Sequence, residues 1–232
     1  MRLAFVGAAK AFNPSTDVAG NKLWLNIESL AGTGSGASIS AWNDSSTNGV
    51  NFTGASSLPT YSTTAGPTGG PAVAFASQFL KSAVQTQTQP YTTFGVVKST
   101  ATTSMTWFGS GSSAQIAIGY AGGNNWDMYN GTVLQAGAST ANTNWNIWVA
   151  ISNGASSKLY INGGAATLSG NAGTNAFSSA TMQIGGQNGA TSLWAGNMTD
   201  LLVYSGALSL TDINTIGSYL GTLRSITWTT AT

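Results

Sequence analysis

The sequence predicts an all-β protein: a two-sheet antiparallel jelly-roll sandwich with one short late helix and arms at both ends. Three observations carry this. Apolar residues alternate with period two in many short segments, the pattern of half-buried strands. Charged residues make up 6% of the 232, against about 25% in an ordinary domain, so long solvated helices cannot be built. Glycine and small polar residues separate the apolar segments, which is turn chemistry.

Taken along the chain, residues 1–21 contain Asn13-Pro14-Ser15 and Gly20 and read as an N-terminal arm. Residues 22–222 form the sandwich domain, and 223–232 a C-terminal strand or arm with the strand-like run Ser225 to Thr230. The arms either pack back onto the domain or lie on neighbouring subunits. Within the domain, Val73-Phe75, Phe94-Val96, Met105 with Trp107, Ile116-Ile118-Tyr120 and Leu201-Val203 mark strands. The clearest alternation sets Trp145, Ile147, Val149 and Ile151 against Asn146, Trp148 and Ala150. Lys158–Ile161, Asn162-Gly163-Gly164 and Ala165–Leu168 read as a hairpin, since Asn-Gly supplies the positive φ angles of a tight turn. Ser209 caps the one helix, Asp212 sits in a capping-box-like position, Leu210, Ile213, Ile216 and Leu220 recur at helical spacing, and Gly221 stops it.

Composition excludes several functions. Seven basic and six acidic residues give a net charge of +1, so there is no footprint for nucleic acid or an anionic membrane surface. The same low charge leaves little repulsion between copies, which suits a homo-oligomer or a crowded symmetric particle. Cysteine and histidine are absent, which removes disulfides, thiolate chemistry and the usual neutral-pH acid/base. No apolar run approaches the about 20 residues of a membrane span. Leu3–Ala9 is a short apolar stretch interrupted by Lys10, so a cleaved signal peptide is not expected.

From Lys22 to Gly221 the order of motifs resembles the laminin-G-like modules of the concanavalin A-like lectin/glucanase superfamily. The residues that carry it are Leu23-Trp24-Leu25, the turn Trp42-Asn43-Asp44-Ser45-Ser46-Thr47-Asn48-Gly49, Gly70–Phe75 and Tyr91–Val97. Later come Leu159-Tyr160-Ile161-Asn162-Gly163, Ile184-Gly185-Gly186 and the run from Trp194 to Ser209. The resemblance implies a jelly roll and is specific for fold rather than function, because such folds host lectins, hydrolases and structural modules alike. Modules of this kind recur in tailed-phage virion proteins and secreted adhesins. The resemblance, with the low charge, implies a non-catalytic virion structural protein at the virion surface. It would be a capsid decoration, head-fibre or tail-fibre module, with capsid or fibre proteins as partners and weak host-glycan binding. The alternative is a secreted or cell-surface carbohydrate-binding module.

The chemistry of single residues supports this reading. A retaining glucanase needs two carboxylates about 5–5.5 Å apart, and the family's enzymes place them in a Glu-rich motif. This chain has one glutamate, Glu28, and no two acidic residues within three positions of each other. No cofactor is expected. Asp44 with Asn43, Asn48 and Asn51 offers too little charge for a tight Ca²⁺ site, so an Asx turn is expected there and no metal. Of the eight tryptophans, Trp24, Trp42, Trp107 and Trp145 fit inward-facing strands. Trp126, with Asn124, Asn125, Asp127 and Tyr129 around it, is the leading glycan-stacking candidate, and Trp194 the second. Phe5, Val6, Phe12, Ile226 and Trp228 lie outside the sandwich pattern and are candidate assembly contacts.

Overall fold

The computed structural model describes residues 11–54, 57–103, 105–111, 116–121, 124–135, 140–189 and 191–232. Sixteen strands, numbered in chain order, form two antiparallel sheets. The first runs β14 (Leu168–Gly170), β13 (Ser157–Ile161), β12 (Asn146–Ser152), β7 (Tyr91–Ser99), β16 (Ala195–Ser205), β5 (Ala72–Ala76), β4 (Thr60–Ser62). β1 (Asn21–Asn26) also pairs with β16, beyond the stretch that β5 occupies. The second runs β11 (Val133–Gln135), β10 (Asn125–Tyr129), β9 (Ala117–Ala121), β8 (Met105–Ser110), β15 (Phe177–Ile184), β6 (Leu80–Gln87), β3 (Phe52–Thr53), β2 (Ala41–Trp42). The predicted sandwich is thus the observed one.

The inner faces meet in an aromatic-rich core containing Trp42, Trp107, Trp126, Trp148 and Trp194. Trp148 on β12 is the hub: Trp107, Tyr120 and Trp126 from the second sheet meet it edge-on at 4.8–5.6 Å between ring centroids. Gly95 on β7 makes this possible, because any Cβ there would collide with the Trp107 ring.

Strand β12 is buried on both faces. Trp148 and Ala150 enter the core between the sheets, while Ile147, Val149 and Ile151 face outward with Phe94, Val96, Leu202 and Tyr204. Strands apolar on both sides need cover on both sides. That cover is the helix α1 (Leu210–Arg224), through Ile213, Ile216 and Leu220. Ser209 caps α1 by accepting the Asp212 N–H, as expected.

Three expectations change, and one left open between two alternatives is decided for the described residues. Gly221 does not stop the helix, which runs one turn further to Arg224 and ends on left-handed Ser225; Gly221 is small because Ile226 and Trp228 fold back over it. Ala165–Thr167 is not strand: β14 starts at Leu168, and the wider turn swings out to bridge the C-terminal arm through Gly163 and Thr229. Trp24 and Trp145 do not enter the inter-sheet core but are half-buried against the outer cluster under α1. The arm residues described here also pack back onto the domain. Tyr204 donates its hydroxyl to the Pro14 carbonyl (2.8 Å), Val18 is buried, and Phe12 meets Tyr219 edge-on. Trp228 lies on Gly217 and donates to Asn214 Oδ1 (3.1 Å). Ile226 packs beside them, so the candidate assembly contacts Phe12, Ile226 and Trp228 are engaged within the chain. Phe5 and Val6 lie outside the described residues.

Candidate functional site

On β10 the alternation Asn125-Trp126-Asp127-Met128-Tyr129 sorts the predicted glycan residues onto two faces. Trp126 and Met128 point into the core, and Trp126, 3% exposed, stacks between Tyr120 and Trp148. Its face is unavailable to a sugar. Trp194 is also fully buried, against Phe75, with its indole N–H donated to Ser99 Oγ (2.6 Å). Both tryptophan candidates therefore fall to the core, the one place where a large apolar ring gains most from burial. Asn124 is an exposed left-handed turn residue that accepts a hydrogen bond from Thr102.

Asn125, Asp127 and Tyr129 remain, side by side on the outer face of the second sheet. Opposite them on β9 stand Ala121, Gly119 and Ala117 in register. Thr106 and Gly109 on β8 follow, opposite Gly119 and Ala117. The result is a trough: a floor of small residues, with one amide, one carboxylate and one phenol ring along one wall. The second wall is the turn between Gln187 and Thr191. It is closed by paired backbone bonds (3.0 and 3.1 Å) and anchored to the Ser110 carbonyl through Asn188 N–H (2.7 Å). The Gln183 amide grips Gly189 from both ends, at 2.7 and 3.2 Å.

Asp127 is the electrostatic feature of this trough. Burial pushes its carboxyl up to about 6, opposed by a backbone hydrogen bond at Met128. Its Oδ1 is buried and accepts no hydrogen bond; Thr181 Oγ1 on β15 and Gln187 Oε1 at the turn are in the same condition. Buried polar atoms are normally paired, so these three are exceptions on this face of the sheet.

The other carboxylates are engaged structurally. Asp44 accepts the N–H groups of Trp24, Ser46 and Val50 and the Ser46 hydroxyl, at 2.8–2.9 Å, which is the expected Asx turn extended into a clamp on β1. Glu28 and Asp200, distant in sequence, converge on Arg224. The guanidinium donates to both Glu28 oxygens (2.6 and 2.7 Å) and both Asp200 oxygens (2.6 and 2.9 Å). Burial opposes the charge on Arg224, but the hydrogen bonds it donates to the two carboxylates raise its already high pKa. This triad, which no local motif announces, latches the end of α1 to β16 and to the turn after β1. Among the described residues, no group of three or more His, Cys, Asp or Glu converges as a metal site would require. No helix among them is long and apolar enough to cross a membrane.

Comparison with known proteins places this architecture. Domain 4 of AbnA, a GH43 extracellular arabinanase from Geobacillus stearothermophilus, solved with arabinotriose, is similar with a TM-score of 0.57 and 17% identity. The match covers 85% of this chain and 98% of that domain. An arabinofuranosidase solved with arabinofuranosyl-alpha-1,2-xylobiose is similar at TM-score 0.60 and 12% identity, over 81% of this chain and 51% of that one. Trypanosoma rangeli sialidase in complex with the inhibitor DANA is similar at 0.55 and 16%, over 84% of this chain and 32% of that one. The chain therefore spans about half of the arabinofuranosidase and a third of the sialidase, and at these identities the likeness is one of fold. No curated protein matches the sequence. The family model for the Laminin_G_3 domain matches residues 19–214, nearly the whole sandwich, and by that match the chain belongs to the concanavalin A-like lectin/glucanases superfamily.

Proposed function

We propose that the protein is a non-catalytic glycan-binding module whose site is the trough along β9 and β10. The observation that carries this is the outward row of β10, where the half-buried Asp127 carboxylate stands beside the Tyr129 ring on the uncovered face, over Gly119 and Ala117. A sugar presents hydroxyl donors to such a carboxylate and C–H faces to such a ring. The absence of His and Cys from the sequence and the locking of Glu28 and Asp200 onto Arg224 support a role without catalysis. The test is a glycan array with arabinan, xylan and sialylated panels, followed by calorimetry on the best binder. Tyr129→Ala and Asp127→Ala should each weaken binding at least tenfold with little change in melting temperature. An array without a binder, or binding untouched by both changes, removes the proposal.

For the biological setting we propose a tailed-phage virion, with the module as a decoration or fibre component at the particle surface. The observation favouring it is the charge-poor surface, which opposes close packing of copies only weakly. Deleting residues 1–10, which leaves the packed residues from Phe12 onward in place, should abolish incorporation into particles. A module that works alone, secreted or on a cell surface, would keep its glycan binding and show no particle association.

A further inference from the structure

Two β-bulges on opposite sheets aim polar side chains into one cleft. On β1 the register against β16 passes from Asn21–Tyr204 to Leu23–Val203, which leaves Lys22 as the extra residue. On β6 it passes from Lys81–Gln183 to Val84–Thr181, so that Ser82 and Ala83 face Met182 alone. The ladder is broken there, and the Met182 N–H donates to the Ser82 hydroxyl oxygen (2.9 Å) instead of a backbone carbonyl. A bulge reverses which face the following residues present. Val84 is thrown outward, 62% exposed, and Gln85 and Gln87 come opposite the core residues Ala180 and Phe177. Glutamines thus stand on the sandwich side of a strand where apolar residues belong.

The cleft they line, about 290 Å³, is shared by Lys22, Asn48, Gln85, Thr86 and Gln87, with Val50 and Met182 as its apolar surface. Its parts are held in place. The Asp44 clamp fixes the loop that carries Asn48 and Val50, and its four accepted bonds direct the carboxylate to that loop and β1. Asn48 donates its amide to Asn21 O (3.1 Å) and Ser46 Oγ (3.0 Å). Gln87 and Gln85 donate theirs to Thr88 O (2.9 Å) and Ala83 O (3.3 Å). With the amide nitrogens bonded to the chain, three carbonyl oxygens, the Thr86 hydroxyl and one ammonium remain for a ligand.

We propose that this cleft binds a single hydroxyl-rich ring bearing one carboxylate, a sugar acid of the uronate class. Lys22 takes the carboxylate as a point charge, the amide carbonyls accept hydroxyl hydrogens, and Val50 and Met182 carry the C–H face. The volume is that of one ring, at the small end of ligand sites of about 300–1,000 Å³. The site is separate from the β9–β10 trough and independent of it.

The test is an NMR titration of the full, ¹⁵N-labelled chain at low ionic strength with D-galacturonate, D-galactose and acetate, following the amides of residues 22, 48 and 85–87. Saturable shifts at these amides are expected with galacturonate, at least tenfold tighter than with galactose or acetate. Lys22→Gln, a change at an exposed side chain, should bring galacturonate to the level of galactose with unchanged melting, and Asp127→Ala should leave galacturonate binding intact. The proposal falls if galacturonate gives no saturable shift at these amides, if acetate matches it, or if Lys22→Gln keeps the preference.

Discussion

The outer faces of the two sheets are opposites. On the first sheet Phe94, Val96, Ile147, Val149, Ile151, Leu202 and Tyr204 are covered by α1 and by both arms. On the second, Asn125, Asp127 and Tyr129 stand over Gly119 and Ala117, and Lys81 and Gln183 continue the face toward β3. No helix covers this face among the described residues. Both sheets share one inner core, so the hydrophobic effect treats them alike inside; they differ only in what the odd or even residues of each strand are. The covered face belongs to stability, and the uncovered one carries the proposed recognition site.

That division can be broken most forcefully at the latch. Arg224→Met leaves Asp200, fully buried, without its partner, and breaking such a buried pair should destabilise by about 3–5 kcal/mol. Urea unfolding measures this, and adding Asp200→Asn should recover a large part of the loss. Glycan binding at the trough should survive wherever the variant is folded.

Trp228→Ala comes next. It uncovers Gly217 and Gly221 and removes the bond to Asn214, and for a half-buried ring the loss should be about 2 kcal/mol, below the about 3–5 of a fully buried tryptophan. A neutral result in the same unfolding experiment would mean that the C-terminal arm does not cover the sheet in solution. Trp126→Phe sharpens the other side of the comparison: about 1 kcal/mol of core stability should go, with glycan affinity unchanged. A loss of affinity without a loss of stability would return Trp126 to the binding surface.

The smallest effect is in pH. The Asp127 carboxyl is raised from 3.8 to about 6 by burial, so the folded state holds its proton more tightly than the unfolded chain does. Stability from this group is full below about 4 and declines as pH rises through 6. Burial pushes Glu28 up but the Arg224 hydrogen bond and charge bring it below 4.5, so its contribution runs the other way and is lost as pH falls. Asp127→Asn removes the first dependence and keeps the second. Melting temperatures from pH 3.5 to 7 should show the variant gaining on the parent by a few degrees up to pH 6, then running parallel. Parallel curves throughout would mean that the Asp127 carboxylate is solvated.

Much of the site could have been read from β10 itself. Asn-Trp-Asp-Met-Tyr alternates strictly, and Met128 two positions after Trp126 marks both as inward, leaving Asn125, Asp127 and Tyr129 outward. Polar neighbours suggested an exposed Trp126; strand parity outweighs neighbours, because residues adjacent in a strand face opposite sides. Lys22, Gln85 and Gln87 could not have been found this way, since a bulge alters parity without a local signature in these residues.

Alternation, turn residues and the capped periodic run from Ser209 determined by themselves that the chain makes short strands and one late helix, because these are local properties of backbone and side-chain spacing. The tertiary structure alone decided which sheet each apolar set faces, that Gly217 and Gly221 are a seat for Trp228, and that Glu28, Asp200 and Arg224 meet. Those contacts join residues far apart in sequence, and their energy exists only once the chain has closed on itself.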